Sequence, residues 1–366
     1  MRLGVDARMM YGAWQHRGIG RYTASILAPL PKEAVIALLP HGQSLDTYRC
    51  ISAGNSFFPW WEQKILPSLA KKADLTYLLC PSITSPVTKI SKVKKIVVIY
   101  DLIFMQSFKD LPVSHSLYNN LGRLYRRFTA PKAYSSADIL ISISEYSKNE
   151  LHERFGISKD RVHVIPCSIT HDWFVEKPVP AQHREPYLLT VTGDGPSKNL
   201  SGLLEAYAKS VNNHGITNFK LRIVGVAQSS QSFFINKAKS LGIEDQIVFE
   251  KFISNEGLQN LYRKAWASIS LSLYEGFGIP IVEAMASGTP VVCSNTTSLP
   301  EVAGDVAIFA NPRDIDSMSG SILKIIRASP EERDKIALSG MMRSKIFSEE
   351  VVSQKIKDFW SKLSNQ

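Results

Sequence analysis

Residues 272–292 read SLYEGFGIPIVEAMASGTPVV, and the reading of this stretch decides the fold. The residues just before it, WASISLS (266–272), form an apolar run of the length expected for a buried strand. Gly276 and Gly278 then permit backbone angles that side chains forbid. Pro280 suits the first turn of a helix, Ala284 and Ala286 propagate it, and Gly288 can end it. TPVVCS (289–294) follows as another buried strand. The result is a β-turn-α-β unit whose glycine turn lies at a helix N-terminus, where unpaired N–H groups and the helix dipole attract anions. Glu283 is expected in the first helical turn, where a carboxylate is favoured. Glu275 is expected at the carboxyl end of a strand, where open α/β sheets place their ligands. Singly, Glu283 reads as a helix-capping acid and Glu275 as an exposed turn residue. Together with two glycines and a proline they bracket a phosphate-sized cradle.

The rhythm extends outward in both directions. Toward the N-terminus, RLGVDA, AVIALLP, LTYLLC, KKIVVIYDL, DILISIS and RVHVIP read as strands, with helical stretches at GIGRYTASILAPL and at 114–135. The proline-rich segment 170–186 interrupts the alternation. It restarts with YLLTVTG, KLRIVGV and QIVFEKF, leading into the opening stretch. Strands separated by helical crossovers imply parallel sheets covered on both faces. A chain of 366 residues exceeds what one core usually supports. The expected fold class is therefore α/β with two Rossmann-like domains, residues 1–170 and 187–345, joined by a linker at 171–186. A last helix over 346–366 carries Val351, Ile356, Phe359 and Trp360 at helical spacing and is expected to pack back on the N-terminal domain.

Hydrophobic content of 44% and charged content of 21% are ordinary for a soluble enzyme. No run reaches transmembrane length and the start lacks the apolar core of a signal peptide. The four cysteines are scattered without a C-x-x-C pair, which fits a reduced, cytoplasmic compartment. The net charge of +10 is uneven, +9 falling on residues 1–180 and +1 on the remainder. The first half is thus a candidate surface for an anionic partner, such as a lipid phosphate or a membrane leaflet. Two stretches there combine charge with apolar residues. FFPWWEQKILP (57–67) crowds aromatics together, and LYNNLGRLYRRFTAPKAY (117–134) sets Arg123, Arg126, Arg127 and Lys132 among Leu121, Leu124, Tyr125 and Phe128. A basic amphipathic helix can lie on a membrane, although its commoner fate is an ordinary surface helix. No recognised nucleic-acid-binding motif accompanies the charge.

Other candidates are weaker alone. GIGRYT (18–23) and GDGPSKN (193–199) resemble phosphate loops but lack the third glycine of a dinucleotide fingerprint, and neither is a G-x-x-x-x-G-K loop. Lys198 at a helix start could meet a phosphate as a point charge, or simply be solvated. Asp101 ends the fourth of these strands and serves equally well as a turn cap. Ser144 reads as an N-cap. Asp314 and Asp316 read as helix caps rather than metal ligands, and the histidines form no ligand set.

Taken in order, GIGRYT, EQKILP, YDL, SEYSKNEL, VIP, GDGPSKNL, 261–292 and LPEVAGDVAIFANP resemble the retaining glycosyltransferases of the GT-B fold, family 4 (group 1). The resemblance runs through nearly the whole chain, is most specific over 275–292, and is strongest to bacterial O-antigen mannosyltransferases. It implies two Rossmann-like domains with parallel sheets facing a central cleft. The nucleotide-sugar, with GDP-mannose favoured, would be held in the C-terminal half. The acceptor, a glycan on a lipid carrier, would lie in the N-terminal half near Tyr100 and Asp101, with the inner membrane surface a possible partner. By the same resemblance Glu283 holds the ribose and Glu275 contacts the donor sugar. Gly276 belongs to the donor turn, and the N–H groups of Phe277, Gly278 and Ile279 bind diphosphate and sugar. Lys198 neutralises the departing diphosphate, Gly18, Ile19 and Gly20 close on it, and the backbone of Phe252 and Ile253 reads the base. Asp101, Lys198 and Glu275 are the implied catalytic residues. No cofactor, divalent metal or protein nucleophile is implied.

This sequence departs from the family pattern in three places. Tyr100 stands where a histidine is common, the arginine that usually accompanies Lys198 is missing, and Cys167–Ser168 replaces an Asn-Gly pair. Two rivals follow: a catalytically silent GT-B scaffold subunit of a glycan-assembly complex, and a nucleotide-sugar epimerase that needs no acceptor.

Overall fold

A computed structural model describes residues 2–16, 18–111, 117–251 and 253–364. They form two units, one from residues 1–106, 115–167 and 350–366, the other from 107–114 and 168–349.

The first unit is built on seven strands: β1 (Leu3–Asp6), β2 (Val35–Leu39), β3 (Arg49–Ser52), β4 (Tyr77–Cys80), β5 (Lys94–Ile99), β6 (Ile139–Ser142) and β7 (Val162–Val164). Their order is β3-β2-β1-β4-β5-β6-β7 and every pairing is parallel. The short aliphatic runs form strands because both faces of a covered parallel sheet accept apolar side chains. All residues of β1, β2 and β4 are buried. The edge strand β3 was not legible as a strand; its RCIS sequence is mostly exposed or half-buried and carries no apolar run.

The second unit has six parallel strands: β8 (Glu185–Val191), β9 (Lys220–Val224), β10 (Ile247–Phe249), β11 (Ala265–Ser270), β12 (Val291–Ser294) and β13 (Ile308–Ala310). Their order is β10-β9-β8-β11-β12-β13. Each sheet is thus doubly wound, with its strand order reversing once, between β1 and β4 in the first and between β8 and β11 in the second. Both are the Rossmann-like sheets expected from the sequence.

Segment 171–186, read from sequence as a linker, packs along the second unit. Asp172 accepts from the Gln259 amide at 2.6 Å, Val175 N–H donates to the Ala286 carbonyl at 3.2 Å, and Ala181 N–H donates to Asp334 at 3.0 Å. The terminal helix Glu349–Ser364 belongs mainly to the first unit. Its buried stripe is Val352, Ile356, Phe359, Trp360 and Leu363. Val351, expected in that stripe, is 40% exposed, because a helix that buries Ile356 turns position 352 inward.

The Trp360 indole N–H donates to the Ile26 carbonyl at 2.8 Å. That carbonyl lies in the last turn of the Gly18–Leu27 helix, where carbonyls have no intrahelical donor. Trp360→Phe keeps the ring but strands this buried acceptor, so it should cost about 1–3 kcal/mol. Denaturant midpoints measure this directly, and an unchanged midpoint would show that the bond contributes nothing.

Candidate functional site

The reversal of the second sheet places the carboxyl ends of β8 and β11 side by side. In doubly wound sheets such a switch point opens the crevice where ligands bind. The loop after β8 carries Gly193–Lys198, and the loop after β11 carries Ser272–Gly278. Backbone and side-chain bonds stitch them together: Leu273 N–H donates to the Ser197 carbonyl at 2.7 Å, and the Asn199 amide donates to the Leu271 carbonyl at 3.1 Å.

Lys198 and Glu275 meet across this junction, Nζ to Oε1, at 2.7 Å. The Ser272 hydroxyl donates to the same carboxylate oxygen at 2.8 Å. Ser298 braces the turn from below, its hydroxyl donating to the carbonyls of Glu275 and Phe277, each at 3.0 Å. Neither Ser272 nor Ser298 stands out in the sequence. The signal available for Ser272 is its position three residues before an acid at a strand end.

Gly278 adopts φ +109° and caps the helix Ile279–Ala286. A Cβ there would lie 2.6 Å from Leu299 Cδ1's sister methyl, Cδ2, so both conformation and space require glycine. Pro280 lies in the first helical turn, as its sequence position suggests. Glu283, however, is the fifth residue of this helix, beyond the first turn where the sequence placed it. It is buried at 8% exposure, so it does not act as a first-turn capping acid. The Tyr262 hydroxyl approaches its Oε2 at 3.5 Å and also donates to the Pro280 carbonyl at 3.2 Å. Burial first, and the neighbouring Glu283 second, push the Tyr262 hydroxyl well above its ordinary pKa, which keeps it a neutral donor.

A Cβ at Gly193 or Gly195 would meet nothing within 4 Å, so packing does not dictate glycine there. Ile253 is half-buried just before Ser254, the N-cap of the helix Asn255–Lys264. Phe252 lies outside the described residues. Asp314 caps its helix by accepting from the N–H groups of Asp316 and Ser317, while Asp316 instead pairs with Lys209.

The remaining candidates belong to the first unit. Gly18, Ile19 and Gly20 form the first turn of the Gly18–Leu27 helix rather than a loop. A Cβ at Gly20 would fall 2.4 Å from the carbonyl oxygens of Met9 and Trp14, so this glycine is required by packing. Asp101 follows β5 and accepts from the Ile103 N–H at 3.0 Å, holding the turn. Tyr100 is buried and stands edge-on to Tyr22, with ring centroids 5.5 Å apart. Burial drives the Tyr100 hydroxyl far above its ordinary pKa, so it cannot serve as a base.

The switch of the first sheet holds a polar cluster that the sequence did not single out. Asp6 at the end of β1 accepts two bonds from Arg8, at 2.6 and 2.9 Å, and one from the Trp61 indole at 3.2 Å. Glu62 accepts from Thr84 at 2.6 Å, Tyr125 at 2.8 Å and Gln63 at 2.9 Å. It sits in a single π-helical turn, Trp61–Ile65, a distortion that recurs at functional sites. Burial pushes the Glu62 carboxyl above its ordinary range, against the opposing bonds from Thr84 and Tyr125 and the charge of Arg8. The D-x-R pattern directly after the first strand was the available signal.

The basic helix is less free than its sequence suggests. Within Leu117–Ser136, Arg127 donates to the carbonyls of Phe104, Met105 and Gln106, and Arg123 to those of Phe104 and Gln106. These two arginines hold the turn that follows Asp101.

Two doubly wound parallel sheets, with a cation–carboxylate pair and a glycine-capped helix at one switch point, make this a Rossmann-like α/β protein with a candidate anion site in its second unit. Residues 172–340 match the glycosyl transferases group 1 and residues 107–173 match Glycosyltransferase Family 4. The chain belongs to this glycosyltransferase family and has the GT-B fold. It is 30% identical over 232 residues to O-antigen chain mannosyltransferase B of Escherichia coli, across 61% of this chain and 60% of that protein. It is 31% identical over 213 residues to the MMP alpha-(1->4)-mannosyltransferase of Mycolicibacterium hassiacum, across 57% of this chain and 50% of that one. The chain thus spans between half and two thirds of the length of these relatives. Sucrose-phosphate synthase from Thermosynechococcus elongatus superposes with a TM-score of 0.71 over 100% of both chains at 17% identity, a likeness of fold.

Proposed function

We propose that this chain is a retaining hexosyltransferase. It moves mannose from GDP-mannose onto a lipid-linked glycan during synthesis of O-antigen or another bacterial surface polysaccharide. The observation that carries the reading is the Lys198–Glu275 pair, held at 2.7 Å at the switch point beside the glycine-capped helix. The mannosyltransferase relatives support the sugar.

In the proposed reaction the bond between C1 of the sugar and the diphosphate oxygen breaks, leaving GDP. A bond forms between C1 and an acceptor hydroxyl on the same face, and the hydroxyl proton passes to the departing phosphate oxygen. No protein nucleophile and no divalent metal takes part. Lys198 neutralises charge as it builds on the leaving diphosphate. The N–H groups of the turn at Phe277, Gly278 and Ile279 point at that same charge from the helix end. The Ser272-braced Glu275 orients the sugar, and buried Glu283 accepts from the ribose hydroxyls. The bare backbone at Gly193 and Gly195 allows close approach of the diphosphate. Asp101, on the acceptor side, positions the incoming hydroxyl.

Calorimetric titration of GDP, UDP and dTDP without metal tests the donor assignment. GDP should bind the wild-type protein, and Glu283→Ala should weaken it about tenfold or more, the loss of charge-assisted bonds to ribose. Equal binding to both proteins would remove Glu283 from the site. Failure of every nucleotide to bind would favour a silent scaffold subunit, a reading motivated by Tyr100, whose ring packs against Tyr22 in the place of a common histidine.

Among the described residues no helix is long and apolar enough to cross a membrane. In the proposed reading the lipid-linked acceptor is approached at the inner face of the membrane through the basic first unit, whose residues 1–180 carry a net charge of +9.

A further inference from the structure

The loop that follows β12 runs alongside the 272–278 turn and is tied to it step by step. The Ser294 hydroxyl donates to the Ser272 carbonyl at 2.7 Å. The Glu275 N–H donates to the Thr297 hydroxyl at 3.3 Å, and Ser298 donates to the carbonyls of Glu275 and Phe277. Leu299 then packs so close to Gly278 that a Cβ there would collide with it. Ser294 and Ser298 are fully buried, so their bonds form away from water, where an unmade bond is costly.

Thr297 is the strained member of this set. Its φ is +59°, a left-handed conformation that β-branched residues rarely adopt. Glycine would take the same conformation without steric cost, so loop shape alone does not call for threonine. What the side chain adds is a hydroxyl. Its proton goes to the Thr296 carbonyl at 2.7 Å, which leaves an oxygen lone pair for the Glu275 N–H. With Ser298 on the Glu275 carbonyl, both backbone polar groups of Glu275 are held from this loop. Its carboxylate is held separately, by Lys198 and Ser272. Strain of this kind persists where the surroundings over-determine it, and it gathers where geometry matters to function.

We propose that Thr297 is a positioning residue that acts through Glu275. In the proposed reaction Lys198 turns to the diphosphate, and Glu275 must then keep its place on the sugar without the ammonium. The clamp on its backbone does this. The assignment rests on the reading of Glu275 as the residue that orients the donor sugar, and adds the residue that holds it there.

Release of GDP from GDP-mannose with water as the acceptor is the assay, since it requires no glycan. Water supplies the oxygen that bonds to C1, and its proton passes to the departing phosphate oxygen. Thr297→Gly removes the hydroxyl and the strain together. Turnover should fall about tenfold, the effect of one lost hydrogen bond, while GDP, which lacks the sugar, should bind as it does to wild type. The thermal midpoint should not fall, because relief of strain offsets the freedom glycine adds to the unfolded chain. Thr297→Ser keeps the hydroxyl and should stay within about threefold of wild-type turnover. In a Glu275→Gln background, Thr297→Gly should change turnover by less than about twofold, because residues that act as a unit are not additive. Turnover of Thr297→Gly within about threefold of wild type overturns the proposal. So does an undiminished tenfold loss in the Glu275→Gln background, which would place the action of Thr297 outside Glu275. A lowered midpoint with parallel loss of GDP binding would make Thr297 a structural support only. Wild-type protein that binds no GDP, or binds it and leaves GDP-mannose intact, would instead defeat the donor reading, and this assignment with it.

Discussion

Lys198→Ala is expected to lower the rate of sugar transfer by about 10²–10³-fold at saturating donor and acceptor. In the proposed reaction negative charge grows on the diphosphate as the bond to C1 breaks, so the ammonium assigned to it would act more strongly on the transition state than on the bound donor. The loss should therefore fall on kcat and kcat/KM alike, with a smaller change in donor KM. A purely structural ion pair predicts the opposite pattern. Lys198 is one-third exposed, and pairs of that kind contribute about 0–1 kcal/mol to stability. Thermal midpoints of Lys198→Ala and wild type should thus nearly coincide while turnover collapses. Lys198→Met, which keeps the aliphatic stem and removes the charge, should behave like the alanine variant. Turnover within about threefold of wild type in both variants would reduce the Lys198–Glu275 pair to scaffolding, because removing a single preorganised donor costs far more than that.

Much of this arrangement can be read from the sequence, and the failures share a cause. The buried strands β1, β2, β4, β5 and β6 declare themselves because both faces are covered and nearly every residue is apolar. The edge strand β3 does not, since a single pairing partner lets polar residues in, and β13 does not because three apolar residues are too short a run to register as a strand. The glycine turn at 276–278 and the helix after it were legible because Gly278 and Pro280 each have one stereochemical use there. The depth of Glu283 was not, since one residue at the helix start decides whether an acid caps the first turn or is buried in the second. Lys198 and Glu275 lie 77 positions apart, and only the strand order of the second sheet brings their loops together. The Glu62–Tyr125 contact was missed for the same reason, since its partners lie 63 positions apart and local patterning carries no record of strand order. The Asp6–Arg8 pair is local, and what the sequence hides is that Trp61 completes it from 55 positions away. The three arginines at 123, 126 and 127 look equivalent along one helix, and only the carbonyls of Phe104, Met105 and Gln106 separate them.

Gly278→Val should be the most damaging single change in the second unit, because it acts on conformation, packing and the site together. The residue adopts φ +109°, a region that costs a side-chain-bearing residue about 1–3 kcal/mol, and more when that residue is β-branched. Its Cβ would also lie 2.6 Å from a Leu299 methyl. Leu299 is itself fully buried and has little room to yield, so overpacking adds about 1–3 kcal/mol. The strain is relieved most readily by moving the turn, and the turn carries the N–H groups assigned to the diphosphate. The expected result is a denaturant midpoint well below wild type together with loss of measurable GDP binding at temperatures where the protein is still folded. Gly193→Ala provides the contrast: its Cβ meets nothing within 4 Å, so stability should hold while any defect appears in nucleotide affinity alone. If Gly278→Val were destabilised yet bound GDP as the wild type does, the helix N-terminus would be a structural cap, and the diphosphate would have to be held by Lys198 and the 193–198 loop without it.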